Sequence, residues 1–113
     1  MTIELELSTE VRESWAILSV NGEVDLSNST QLKDEIVGLV SAGHPQIVLD
    51  LEHVGFMDST GLGALVTALK KVKEADGALV LAKVPQQIAR LLDITGLDGV
   101  FASFASLDEA MSR

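Results

Sequence analysis

The feature that most limits the fold is an alternation of two hydrophobic periods along the chain. Residues 46–51, QIVLDL, and 78–82, ALVLA, are short runs that are apolar at nearly every position. Such runs suit strands buried on both faces. Elsewhere the apolar residues recur at helical spacing. Leu32, Ile36, Leu39 and Val40 fall at i, i+4, i+7 and i+8, one stripe of a helix. Leu62, Leu65, Val66, Leu69 and Val72 form a second stripe, on a helix that starts near Ser59 or Thr60 and runs to about Ala75. Ile88, Leu91 and Leu92 form a third. Strands and helices in alternation imply parallel strands joined by helical crossovers.

The chain opens differently. Ile3, Leu5 and Leu7 alternate with Glu4 and Glu6, which predicts a strand with one wet face. TEVRES (9–14) is polar enough for a turn, and WAILSVNG (15–22) reads as a central strand. The two strands make an N-terminal hairpin. Asn28 with Gln31 predicts a capping pair for the first helix, which Gly43 ends and Pro45 blocks. Pro85 suits the first turn of the third helix, and Gly96 its end. Residues 100–102 predict a last short strand, and Ser106 with Glu109 a capping box for a short terminal helix. The order β-β-α-β-α-β-α-β-α defines one α/β domain over residues 1–113. Its single mixed sheet has four to five strands, with the hairpin as the antiparallel part. Ligands and partners of such sheets meet the carboxyl ends of the strands. The loop after Leu51, with Asp58 and Ser59, is expected there, as is GEVD (22–25).

Charge and composition exclude several functions. Seventeen acids against eight bases give a net charge of −9. That is the wrong sign for nucleic acid or for an anionic membrane surface, and suits a basic protein partner. The chain has no cysteine, which excludes disulfides, thiol catalysis and cysteine-held metals. No apolar run approaches the ~20 residues of a membrane span, and the start lacks a secretory pattern. The expectation is a soluble cytoplasmic protein with no cofactor or metal.

The stretch FMDSTGLGAL (56–65) carries the functional signal. Opposite the apolar stripe of its helix lie Thr60, Gly63, Ala64, Thr67 and Lys71, a flat face of small side chains near the N-terminal half. A glycine inside a helix costs ~1 kcal/mol relative to alanine. Gly61 and Gly63 therefore need a reason: close approach of another backbone, from this chain or a partner, or simple packing on the preceding loop. Ser59 could cap the helix, but so could Asp58 or Thr60, and three candidate caps leave at least one hydroxyl free. A phosphate on Ser59 would meet the helix N-terminus, a favourable place for an anion. It would add roughly −1.5 to −2 charges. The fold should tolerate this, with dipole and free N–H groups offsetting the charge, while docking against the surface suffers. Asp58 and Asp25 would add repulsion toward an acidic partner group.

FMDSTGLGAL resembles the signature of the STAS-domain anti-sigma factor antagonists. NGEVDLSNSTQL (21–32), VLDLEHVGFMDSTG (48–61) and LLDITGLDGVF (91–101) resemble further segments of that family, so the resemblance spans essentially the whole chain. It implies a non-enzymatic switch in the STAS fold. Ser59 matches the family's phosphorylated serine, and Thr60 a neighbour less often used. Asp25 and Asp58 match acidic positions of the docking surface. The reading of the residues themselves adds Ser59, Thr60, Gly61, Gly63, Ala64 and Thr67 as expected partner contacts. The unphosphorylated protein would bind an anti-sigma factor that is also a serine kinase, freeing the sigma factor. The kinase, with ATP and Mg²⁺, would phosphorylate Ser59 and end the complex. A metal-dependent serine phosphatase would restore it.

Other functions fit the residues less well. A serine hydrolase needs a base near Ser59, and the only histidines are His44, beside a turn proline, and His53, expected in the loop before the site. No GxSxG occurs. An aspartyl-phosphate receiver could use Asp25, Asp50 and Asp58, but the chain opens with a hairpin rather than β-α-β. Lys70, Lys71 and Lys73 read as a solvated helix end. A free-standing STAS scaffold of a stress-signalling or transport assembly keeps the fold and changes the partner.

Overall fold

The computed structural model describes residues 5–112. Strand β1 covers Glu6–Arg12, β2 Trp15–Val24, β3 Gln46–Met57, β4 Ala78–Ala82 and β5 Ser103–Phe104. Helix α1 covers Ser29–Ser41, α2 Ser59–Glu74, α3 Gln86–Ile94 and α4 Leu107–Met111. The sheet runs in chain order, β1-β2-β3-β4-β5. β1 and β2 are antiparallel and every later pair is parallel. The expected mixed sheet is therefore present, with five strands.

Alternation along the strands separates two cores. Leu18, Val20, Leu49, Leu51 and Leu81 face one side, packed by Leu32 and Ile36 of α1, Leu65 and Leu69 of α2, and Ile88 and Leu92 of α3. Trp15, Ile17, Val48 and Val80 face the other, under Ala110, Leu107 and Met111 of α4. The three predicted stripes are thus the buried faces of three helices on one side of the sheet, except that Val66, Leu39, Val40 and Leu91 sit at its partly buried margin.

Four local expectations are corrected. Residues 9–14 are not a turn: β1 continues to Arg12, and the turn is Glu13–Ser14, with Glu13 at φ 56°. An edge strand exposed from Ser8 to its end is as polar as a turn. Ile3 and Glu4 of the predicted strand lie outside the described residues. Asn28 does not form a capping pair with Gln31. It heads α1, but its Nδ2 donates to the Glu23 carbonyl at 2.8 Å and its Oδ1 accepts from the Asp25 N–H at 3.0 Å. Pro85 precedes α3 as its N-cap rather than lying in its first turn. The last strand is Ser103–Phe104, not 100–102, because Phe101 is pulled into the core before the chain reaches β4. The terminal cap is as expected: Ser106 Oγ accepts from the Glu109 N–H at 3.1 Å.

The largest departure positions the site. β3 does not stop at Leu51 but runs on to Met57, past the end of β4, paired there only with β2. Two register shifts bend it. Leu51 and Glu52 both stand opposite Val20, and Gly55 stands unpaired between the Gly22–Val54 and Glu23–Phe56 pairs. Bulges of this kind bend a strand and re-aim its side chains. Asp50 secures the first. It is only 8% exposed, and its Oδ1 accepts from the Glu52 N–H at 3.0 Å, satisfying a donor at the bulge. The irregular alternation of EHVGF hides the extension from a period-two reading. His53 accordingly lies in a strand, not a loop.

Candidate functional site

The projecting ends of β2 and β3 meet the start of α2 at Asp58. Its backbone N–H donates to the Val24 carbonyl at 3.2 Å, fixing the β3 end beside the turn that follows β2. Asp58 is extended, with φ −102° and ψ −175°, the conformation of an N-cap. Its Oδ1 accepts from the Thr60 N–H at 3.0 Å, the Gly61 N–H at 3.2 Å, and the Thr60 hydroxyl. The cap is therefore Asp58 and not Ser59.

These three donors have two consequences. The Thr60 hydroxyl, followed by the Gly61 and Thr60 backbone N–H groups, holds the Asp58 carboxyl below its ordinary value despite some desolvation. The ionised acid is then the bound state. A depressed folded-state pKa contributes stability above the unfolded value of about 3.9 and loses it as pH falls through the folded value. Asp58→Ala is expected to cost about 1 kcal/mol at pH 7, the usual effect of removing a cap. In urea melts the gap from wild type should shrink as the pH falls below about 4. The second consequence is a correction. The N–H groups of Thr60 and Gly61, expected to be free for a phosphate, are already bound to Asp58.

Ser59 is what this arrangement leaves over. It is exposed, and its hydroxyl has no hydrogen-bond partner among the described residues, whereas the Thr60 hydroxyl is half-buried and spent on Asp58. The outer face of α2 continues the small surface. Gly63 is exposed, with nothing within 4 Å of where a Cβ would stand, and Ala64 is partly exposed. Thr67 is exposed and donates its hydroxyl to the Gly63 carbonyl at 3.1 Å.

Gly61 does not belong to that face. It is buried, and a Cβ there would lie 2.7 Å from Met57 Cγ and 2.9 Å from Val24 Cγ1. The close approach that demands a glycine comes from this chain's own strand ends. Asp25 is half-buried beyond Val24. Its Oδ1 accepts from the Ser27 N–H at 2.9 Å and the Ser27 hydroxyl at 2.6 Å, so it shapes the turn into α1. GEVD is thus strand up to Val24, with only Asp25 beyond it. Sequence reasoning missed Leu26 and Phe56, exposed apolar residues on either side of the corner at 78% and 47%. For Leu26 a signal was present, an apolar residue inside a polar turn.

Among the described residues, no base is set against Ser59 as a serine hydrolase needs. His53 Nε2 lies 3.4 Å from Glu52 Oε1, and among the described residues no hydrogen bond joins Ser59 to a histidine. Lys71 Nζ is 3.7 Å from Glu74 Oε1 in the last turn of α2, where cations complement the helix dipole.

Fold and corner together define a class: a small α/β domain with a mixed five-stranded sheet and one hydroxyl held free where a strand becomes a helix. The particular family follows from comparison, since the model of the STAS domain matches residues 6–110. The chain belongs to the STAS domain family. It is 34% identical over 95 residues to the anti-sigma-B factor antagonist of Staphylococcus aureus (strain NCTC 8325 / PS 47), covering 84% of this chain and 88% of that one. Among solved structures it resembles an anti-sigma factor antagonist from Mycobacterium paratuberculosis, with TM-score 0.85 and 28% identity over 96% of this chain and 92% of that one. The Bacillus cell fate determinant SpoIIAA in its phosphorylated form shares the fold, with TM-score 0.71 and 22% identity over 97% and 98% of the two chains. The receiver alternative is overturned, because the strands run in chain order from an antiparallel edge rather than as 2-1-3-4-5.

Proposed function

We propose that this chain is an anti-sigma factor antagonist switched by phosphorylation of Ser59. The unphosphorylated protein docks the corner of Asp25, Asp58 and Ser59 and the outer face of α2 onto an anti-sigma factor that is also a serine kinase. Docking releases the sigma factor. The observation that carries this is the difference between adjacent hydroxyls: Ser59 is exposed and uncommitted, while Thr60 is tied to Asp58. The names of the S. aureus and M. paratuberculosis relatives support the antagonist part of this reading.

The switch works through charge. Phosphorylation places roughly −1.5 to −2 charges on a corner that already holds Asp58 ionised. With the nearest helix N–H groups committed, the phosphate charge falls mainly on the docked partner. The protein acts as substrate and ligand: the kinase supplies ATP, Mg²⁺ and the catalytic base, and a metal-dependent serine phosphatase resets the site. Its proposed place is the cytoplasm. No helix among the described residues is long and apolar enough to cross a membrane.

The test is incubation with the cognate kinase and Mg-ATP, followed by peptide mass mapping. Phosphate is expected on Ser59 alone, with Ser59→Ala unmodified and Thr60→Ala modified as wild type. Phosphate found only on other residues refutes the assignment.

A further inference from the structure

Two large apolar side chains flank the switch and contribute to neither core. Leu26 is 78% exposed in the turn after β2, held up by the Asp25–Ser27 and Asn28–Glu23 hydrogen bonds. Phe56 is 47% exposed two residues before Asp58, next to the bulge at Gly55. Consecutive Cα atoms are 3.8 Å apart, so Phe56 lies within about 11 Å of Ser59. The Asp58 to Val24 hydrogen bond places the Leu26 turn beside the same corner. Phe56 departs from its neighbours: Val54 and Met57 are buried, and the unpaired Gly55 shifts the alternation. A bulge that turns an aromatic ring toward water beside a functional corner re-aims that ring toward something outside the chain.

The surrounding charge selects what covers them. Glu23, Asp25 and Asp58 stand on the same two strand ends. Residues 13–69 hold one lysine or arginine, Lys33, which lies 3.6 Å from Asp34, and Lys83, which reaches β3 from beyond β4, lies 3.5 Å from Glu52, so both are paired with acids. A second copy of this chain would bring the same acids face to face, and like charges across an interface are costly. A partner with apolar hollows rimmed by lysine or arginine meets both features.

We propose that Leu26 and Phe56 are the apolar anchors of docking, seated in hollows of a basic-rimmed protein surface. Resting on the function proposed above, that protein is the anti-sigma factor. Ser59 is then the switch and the two flanking residues carry affinity, as buried apolar and aromatic anchors do in protein interfaces.

The experiment titrates the purified anti-sigma factor of the source organism into unphosphorylated wild type, Leu26→Ala, Phe56→Ala and Ile94→Ala by calorimetry, at low and at high salt. Ile94 is 73% exposed at the far end of α3 and controls for the loss of an unrelated apolar residue. Leu26→Ala and Phe56→Ala are expected to weaken binding at least tenfold each. Ile94→Ala should bind as wild type, and salt should weaken every complex. Because Phe56 is half-buried, Phe56→Gln with an unchanged melting temperature stands in if the alanine variant is unstable. Unchanged affinity for Leu26→Ala and Phe56→Gln, with wild type binding tightly, overturns the anchors and leaves the antagonist function standing. Wild type that does not bind overturns both. A concentration-dependent dimer in sedimentation, abolished by Leu26→Ala, would assign the patch to self-association and also overturn the proposal.

Discussion

Ser59→Asp is expected to lower affinity for the anti-sigma factor by about 100-fold while moving the melting temperature by no more than about 2 °C. The two effects have different origins. In the free protein Ser59 is exposed, and surface substitutions away from special features stay within about ±0.5 kcal/mol. An acid in the first turn of a helix is mildly favourable through the dipole, by about 0.3–1 kcal/mol. Asp58 opposes that gain, since it is ionised next door and already holds the Thr60 and Gly61 N–H groups. The fold therefore registers almost nothing. In the complex the same carboxylate must be buried beside Asp58, and an unpaired charge in an interface costs about 2–5 kcal/mol. A loss of 2.7 kcal/mol is a factor of about 100. Ser59→Ala removes no hydrogen bond among the described residues and is expected to bind as wild type, but not to be released by ATP. Calorimetric titration beside thermal melts decides the matter. If Ser59→Asp lost several kilocalories of stability together with binding, the serine would be a structural element, not a switch.

The legible parts of the sequence were those with an unbroken period. The ALVLA strand, the α2 boundaries and the buried stripes of three helices follow from short apolar runs and 3.6-residue spacing. The C-terminal half of β3 was illegible because two bulges interrupt its alternation, and bulges are set by the partner strand and by a buried acid, Asp50. The candidate site was half legible. Three polar residues in a row show that some hydroxyl is spare, but which one depends on a single dihedral choice. Asp58 adopts the extended cap conformation, Thr60 turns its hydroxyl back onto it, and Ser59 is left over. Gly61 and Gly63 are indistinguishable by residue type and belong to opposite sides of the helix. Only packing separates them.

That separation yields the second large effect. Gly61→Val is expected to destabilise the protein by about 3 kcal/mol, whereas Gly63→Ala should stabilise it by about 0.5–1 kcal/mol. At Gly61 the first added carbon would lie 2.7 Å from Met57 Cγ and 2.9 Å from Val24 Cγ1. Val24 is fully buried and, being β-branched, has little rotameric freedom to yield. Met57 is buried at the end of the bent strand, so relief must come from displacing the strand ends that hold Asp58. Overpacking of this kind costs typically 1–3 kcal/mol, and the two further methyl carbons of valine put it at the upper end. At Gly63 no atom lies within 4 Å of an added Cβ, so only the helix-propensity gain of alanine over glycine remains. Urea melts of the two variants should move in opposite directions from wild type. Binding supplies the second reading. If the partner's backbone comes down on the outer face of α2, Gly63→Ala will be more stable and yet bind the anti-sigma factor several-fold more weakly. A stabilising change that costs affinity belongs to a surface kept bare for contact. Affinity that stayed at the wild-type level would take Gly63 off the docking face and leave its smallness unexplained.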